Sequence, residues 1–227
     1  MKNFLTTFLL FLFTISNSSS HTSHYKNLKK IEMEVFKDGK VIGYNYYFFD
    51  KKDGVTTVKN QIKFKVNLFG VYPLNVEGYG IEKYKNNKLI LYKSKTLQND
   101  KKKFVNLIYD SEKDKFDIKG SSYNGLTTTD NIVGNWWNHK ILQANSQISP
   151  ISGSVKDQVV TFLGKEKIEL YGNTIDVDHF KLTSKNMQIP KDKRLDFDIW
   201  YDSKNFMILK VSYSRLGYWE YKVKNFE

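Results

Sequence analysis

The stretch KKIEMEVFKDGKVIGYNYYFF, residues 29–49, reads as two strands and the turn between them. Ile31, Met33 and Val35 fall on one side of an extended chain and Glu32 and Glu34 on the other, the two-residue period of a strand with one buried face. Asp38-Gly39 then sits between two strand-like runs. A two-residue hairpin needs positive φ at both central positions, and this dipeptide is among the few that supply it at low cost. The return strand is VIGYNYYFF, residues 41–49.

The same grammar extends toward the carboxyl end. After the turn DKKDG comes VTTVKNQIKFKVNLF, residues 55–69, in which Ile62, Phe64, Val66 and Leu68 alternate with polar residues. A run this long is expected to bend, bulge or curl. Gly70 and Pro73 punctuate the next connection, and LNVEGYGIEKY carries Gly78 and Gly80, which suggest a bulge or a close backbone approach. Strand-like runs resume at residues 89–97 and 102–110. Residues 110–131 are polar and irregular, with KGSSYNG and TTTD as loop material. Further strands are expected over 159–172, 173–182, 194–202, 206–214 and 217–223. Short turns between strands imply sequential antiparallel pairing. So long an antiparallel sheet must close, curl or split to cover its apolar face. The fold class is therefore all-β: a strongly curved antiparallel sheet, a half-barrel, with one or two short helices plugging or covering the concave face.

The amino end opens with Lys2, continues with an apolar run from Phe4 to Ile15, and reaches small residues at Ser18 and Ser20. Those are the three parts of a secretory signal. The run is shorter than the roughly 20 apolar residues that span a bilayer. The expected organisation is a signal peptide over 1–20, a disordered leader with His21 and His24 over 21–28, and a single domain over 29–227. A protein so organised is periplasmic or secreted. There is no cysteine, hence no disulfide and no lipid-anchor thiol, and a chain of this length can build a sufficient core without them.

The net charge is +12, which invites a nucleic-acid reading. Of 36 basic residues, however, only Arg194 and Arg215 are arginine, the residue that grips phosphate bidentately. The lysines are spread along the whole chain. Nucleic acid is a poor fit as partner, whereas attraction to an anionic membrane surface or lipid headgroup is compatible with the composition.

Taken together, VFKDGKVIG, GIEKYKNNKLILYKSKT, VGNWW and LDFDIWYD carry a resemblance in their order and spacing. The chain resembles the exported bacterial proteins grouped as domain-of-unknown-function family 6134, from about Ile31 to Val223. The matching positions are Asp38 to Gly43, then Trp136 or Trp137, then Leu195 to Asp202. The resemblance implies a curved antiparallel half-barrel similar to the periplasmic lipoprotein-localisation carriers and to the uncharacterised family 3108. It implies no activity and carries over no catalytic residues.

Two constellations are candidate sites. In DNIVGNWWNHKILQ, Asp130 could cap a short helix that sets Val133, Trp136, Trp137 and Ile141 on one face. That helix is either a plug completing the core or a lid over a cavity for an apolar ligand, with His139 or an indole N–H orienting the ligand's polar end. Trp200 adds an aromatic either at a strand margin or on the cavity side. The second constellation joins DVDHF to DFDIWYD. Val177 and Phe180 are out of phase, which predicts a bulge at Asp178-His179. Asp176, Asp178, His179 and Asp198 could then supply metal ligands or an acid–base pair. The alternative is a solvated polar face neutralised by Lys181, Lys193 and Arg194. In the next strand Leu195, Phe197, Ile199 and Tyr201 read as core, and Asp202 as a turn cap.

No G-x-S-x-G elbow, P-loop or dinucleotide fingerprint is present, and no cofactor is expected. The expected function is non-enzymatic: holding or transferring a lipid-like apolar ligand. The alternative is a structural or interaction protein of the cell envelope with a filled core.

Overall fold

The computed structural model describes residue 25, residues 27–67 and residues 74–227. The expected signal peptide, His21, His24, Leu68, Gly70 and Pro73 lie outside the described residues.

Among the described residues fifteen strands form one sheet, two of them within residues 110–131, the stretch expected to be loop. They are β1 (Lys30–Lys37), β2 (Lys40–Lys52), β3 (Val55–Val66), β4 (Leu74–Lys85), β5 (Lys88–Gln98), β6 (Lys101–Asp110), β7 (Lys115–Gly120) and β8 (Asn124–Thr128), followed by β9 (Ile132–Val133), β10 (Ser146–Ile148), β11 (Val155–Leu170), β12 (Asn173–Ser184), β13 (Asp196–Asp202), β14 (Ile208–Ser214) and β15 (Tyr218–Phe226). Spatially the order is β8 through β1, then β15 back through β9, so β1 meets β15 in the middle of the sheet. Every pairing is antiparallel except β9 with β10.

Turn chemistry sets the hairpins. Asp38 and Gly39 have φ of 48° and 78°, and Asp53-Gly54, Asn86-Asn87 and Tyr171-Gly172 repeat the left-handed pair. The strand register slips between Val35 and Phe36, opposite Val41 to Gly43. Gly43 is required there, because a Cβ would lie 2.0 Å from the Lys63 carbonyl oxygen.

The concave face buries Ile31, Met33 and Val35 together with Tyr47, Phe49, Phe64, Ile199, Tyr201, Val211 and Val223. Tyr25 and Leu28, inside the stretch expected to be a disordered leader, pack into this core instead. A second cluster joins Leu107 and Ile118 to Val133 and Ile148, from opposite ends of the sheet order. The sheet thus curls until its ends touch without forming a ladder. Ser122 N donates to Ser152 O at 2.9 Å, and Tyr92 OH and Ser94 Oγ donate to Pro150 O at 2.9 and 2.6 Å.

Among the described residues the expected helices are almost absent. Two 3-10 turns occur, His139–Leu142 and Lys191–Lys193. The helix anticipated from Asp130 to Ile141 does not form, for a local reason and a distant one. Asn131, Gly134, Asn135 and Asn138 are poor helix formers. Ile132 and Val133 also give their backbone to β10, and Gly134 N donates to Ile148 O at 2.9 Å. Asn138, not Asp130, caps the short turn, its side chain accepting from Lys140 N at 3.2 Å.

Candidate functional site

Residues 131–144 leave the sheet edge and cross its concave side. Along β4, Val76, Glu82 and Tyr84 face inward with Gly78 and Gly80, so the pattern aims a carboxylate into the interior. Glu82 is 2% exposed. Its Oε1 accepts from Asn135 Nδ2 at 2.5 Å and from Trp137 Nε1 at 2.9 Å, and its Oε2 accepts from Tyr84 OH. Burial pushes the Glu82 carboxyl above the usual carboxylate range, opposed by the three donors that favour its ionised form. Burial likewise raises the Tyr84 phenol, with the Glu82 charge adding to the effect.

Tyr84 separates this network from a recess of about 480 Å³. Its walls are Leu89, Tyr109, Phe116, Ile132 and Val133, and its rim carries Lys88, Asp130, Lys140 and Gln143. Asn138 Nδ2 lies 3.5 Å from Tyr84 OH, at the floor. A smaller space of about 30 Å³ adjoins it, between Tyr25, Phe49, Thr56 and Trp137. The larger recess has the size of small-molecule sites, and its lining is mixed, with Asn87, Thr129 and Asn131 facing it as well as the apolar walls.

The expected site residues fare differently. Trp137 is 5% exposed and packs edge-on against Tyr25, Phe49 and Tyr84, with centroids 5.3–5.8 Å apart. Its indole N–H points at Glu82, so it completes the core rather than orienting anything in the larger recess. Trp136 is partly buried and packs on Phe197 at 4.9 Å. His139 is buried, its Nδ1 3.1 Å from Tyr25 OH. Trp200 is on the opposite face of the sheet altogether. None of these four lines the larger recess.

The second constellation is divided by the sheet. His179 and Asp198 come together, Nε2 to Oδ1 at 3.0 Å, and His179 Nδ1 lies 3.2 Å from Glu166 Oε1. Asp176 and Asp178 project from the other face, beside Lys167 and Lys165 at 3.8 Å each. The expected bulge at Asp178-His179 is absent. The irregularity lies in β11 at Phe162 to Gly164, and β12 pairs regularly with β13. Val177 is out of phase with Phe180 because it belongs to a separate cluster on the outer face, with Leu170, Trp200 and Leu209. His179 stacks on Trp200 at 4.4 Å, Lys210 Nζ sits 4.6 Å from the same ring's centroid, and Glu166 accepts the indole N–H. Lys181 bridges Asp196 and Asp198 at 2.7 and 2.8 Å. This is a neutralised ionic cover over an apolar cluster. Among the described residues no group of three or more His, Asp or Glu has metal-holding geometry.

Glu82, Tyr84 and Tyr109 were not singled out in the sequence. The available signal was a carboxylate at an inward phase in GIEKY, flanked by strand residues.

Fold and recess together define an open, barrel-like antiparallel sheet with a walled pocket at one end. Residues 33–224 match the family described as Domain of unknown function (DUF6134), and the chain belongs to that family. Among solved structures it is similar to a beta-barrel-like protein of domain of unknown function DUF1849 from Brucella abortus. The two are 9% identical with a TM-score of 0.56, over 88% of this chain and 98% of that one. At that identity the likeness shows the fold alone. No curated protein matches the chain.

Proposed function

We propose that this protein is an exported, non-enzymatic binding module that holds a lipid-like ligand in the recess between β4–β7 and residues 129–144. The observation that carries this reading is the recess itself: about 480 Å³, with Leu89, Tyr109, Phe116 and Val133 as walls. Lys88 and Lys140 at the rim suit a ligand whose polar end is anionic. Export rests on the signal-like amino end. The site differs from the one the tryptophans suggested, since Trp137 forms part of the floor's support and not a lid.

The test is native mass spectrometry with lipid extraction of the mature protein purified from the cells that export it. A stoichiometric lipid that is lost in Ala144→Trp, which fills the recess, supports the binding module. An unliganded mass that persists after exposure to membrane extract rejects it. The filled main core and the unpaired edge of β8 favour the alternative, an interaction protein of the envelope, and that second result would make it the working reading.

A further inference from the structure

The outer face of the sheet carries two charge regimes. Across β11–β15 and β1 the lysines are matched: Lys181 with Asp196 and Asp198, Lys210 and Lys222 with Glu220, and Lys224 with Glu34. Across β3–β7 they are not. Lys59, Lys83, Lys93, Lys95, Lys102 and Lys119 all project outward, and none has an ion-pair partner among the described residues. Of the acids that project from these strands, Glu77 and Asp110 are already taken by Lys63 and Lys113, at 3.1 and 3.0 Å, which among the described residues leaves Asp117 as the one acid set between the six lysines.

The register interleaves these ammonium groups with exposed apolar side chains. Lys95 stands between Tyr79 and Phe104, Lys102 faces Leu97, and Ile108 lies in line with Leu126 across Asp117. Those five apolar residues are 40–54% exposed. The face is about 25 Å wide at the usual spacing between strands. Lysines whose stems lie along aliphatic and aromatic groups, with few acids among them, match an interface that is anionic at headgroup level and apolar just beneath. A hydrated polyanion would satisfy the ammonium groups but leave Leu97, Ile108 and Leu126 in water.

We propose that the outer face of β3–β8 docks on an anionic phospholipid bilayer. This surface is separate from the recess, and the docking does not depend on the recess being occupied.

Flotation of the purified protein with vesicles tests it. Vesicles of phosphatidylcholine with one-third phosphatidylglycerol should bind the protein, vesicles of phosphatidylcholine alone should not, and high salt should release it. Lys93→Glu with Lys95→Glu should weaken binding about tenfold or more. Leu97→Ser with Phe104→Ser should weaken it at unchanged charge. Lys165→Glu with Lys167→Glu, which changes net charge equally but lies outside this face, should retain it. All six positions are exposed, and unchanged urea midpoints establish that each variant is folded. Absence of binding to the anionic vesicles overturns the proposal, as does equal loss from both lysine pairs, which would reduce the effect to net charge. Binding to a soluble polyanion but not to vesicles, or a dimer in light scattering that Leu97→Ser with Phe104→Ser abolishes, would overturn it in favour of those occupants.

Discussion

Trp137 and Glu82 are 55 positions apart in the chain, and the indole N–H of one donates to the carboxylate of the other at 2.9 Å inside the sheet. This bond ties the segment that crosses the concave side to β4, and it sits directly beneath the recess floor formed by Tyr84. Local stability and the shape of the recess therefore depend on the same few groups.

Trp137→Ala should lower stability by about 3–5 kcal/mol, the usual cost of truncating a buried aromatic. Trp137→Phe keeps most of the packing but removes one of three donors to a buried carboxylate, and should cost about 1–3 kcal/mol. Trp136→Ala, at a partly buried ring, should cost less than Trp137→Ala. Urea titration of the three variants checks the order; a larger loss for Trp136→Ala would contradict the assignment of Trp137 to the core.

Glu82 binds its proton more tightly in the folded chain than in the unfolded one, because burial raises its pKa. Between the ordinary carboxylate range and that raised value the native state holds the extra proton, so this group makes stability fall as pH rises through the window. Glu34 and Asp38, held below their ordinary values first by hydrogen bonds to Lys224 and Lys37, act in the opposite direction at lower pH. Glu82→Gln cannot titrate, and its amide can still accept from Trp137 and Asn135 while donating to Tyr84. The stability difference between the two proteins should grow in favour of Glu82→Gln as pH rises. Parallel curves from denaturation across a pH series would refute this.

Gly43→Ala should cost about 3 kcal/mol or more, since its Cβ would meet the backbone of β3 where no side chain can move aside. Gly39→Ala meets nothing within 4 Å and pays only for positive φ, about 1–2 kcal/mol. Thermal unfolding of the pair distinguishes a steric requirement from a conformational one.

Tyr25→Ala should destabilise the domain by about 3 kcal/mol, because the ring is 4% exposed among Phe49, Trp137 and His139. A variant beginning at residue 29 should lose as much. If both melt like the chain that keeps residues 21–28 unchanged, Tyr25 contributes nothing in solution.

Chelation by EDTA, or addition of Ca²⁺, should leave the melting temperature unchanged, and Asp198→Asn should cost under about 1 kcal/mol as a partly solvated ionic contact. A shift of several degrees on chelation would mean that the carboxylates around His179 do hold a cation.

The sequence by itself determined eleven of the strands, their sequential antiparallel pairing and most of the turns, but it read the residues of β7 and β8 as polar loop and missed the short β9 and β10. Asp38-Gly39 needed only its own two residues to specify a hairpin, and the period from Leu195 to Tyr201 named the buried side of β13 correctly, with Ile199 and Tyr201 fully buried. Asp202 caps its turn as read, accepting from Lys204 N at 2.7 Å. These are local matters, settled within a few bonds. The tertiary structure decided everything that depends on which distant residues meet. Val177 looked misplaced because a sheet has two faces and both bury apolar groups here. Asp178 and His179 are neighbours in sequence and are separated by the sheet. The double tryptophan became two different things, a buried donor to Glu82 and a partly exposed partner of Phe197. Glu82 became a site residue only when residues 135–137 were laid across it, because a carboxylate's proton affinity and partners follow from burial and through-space contacts.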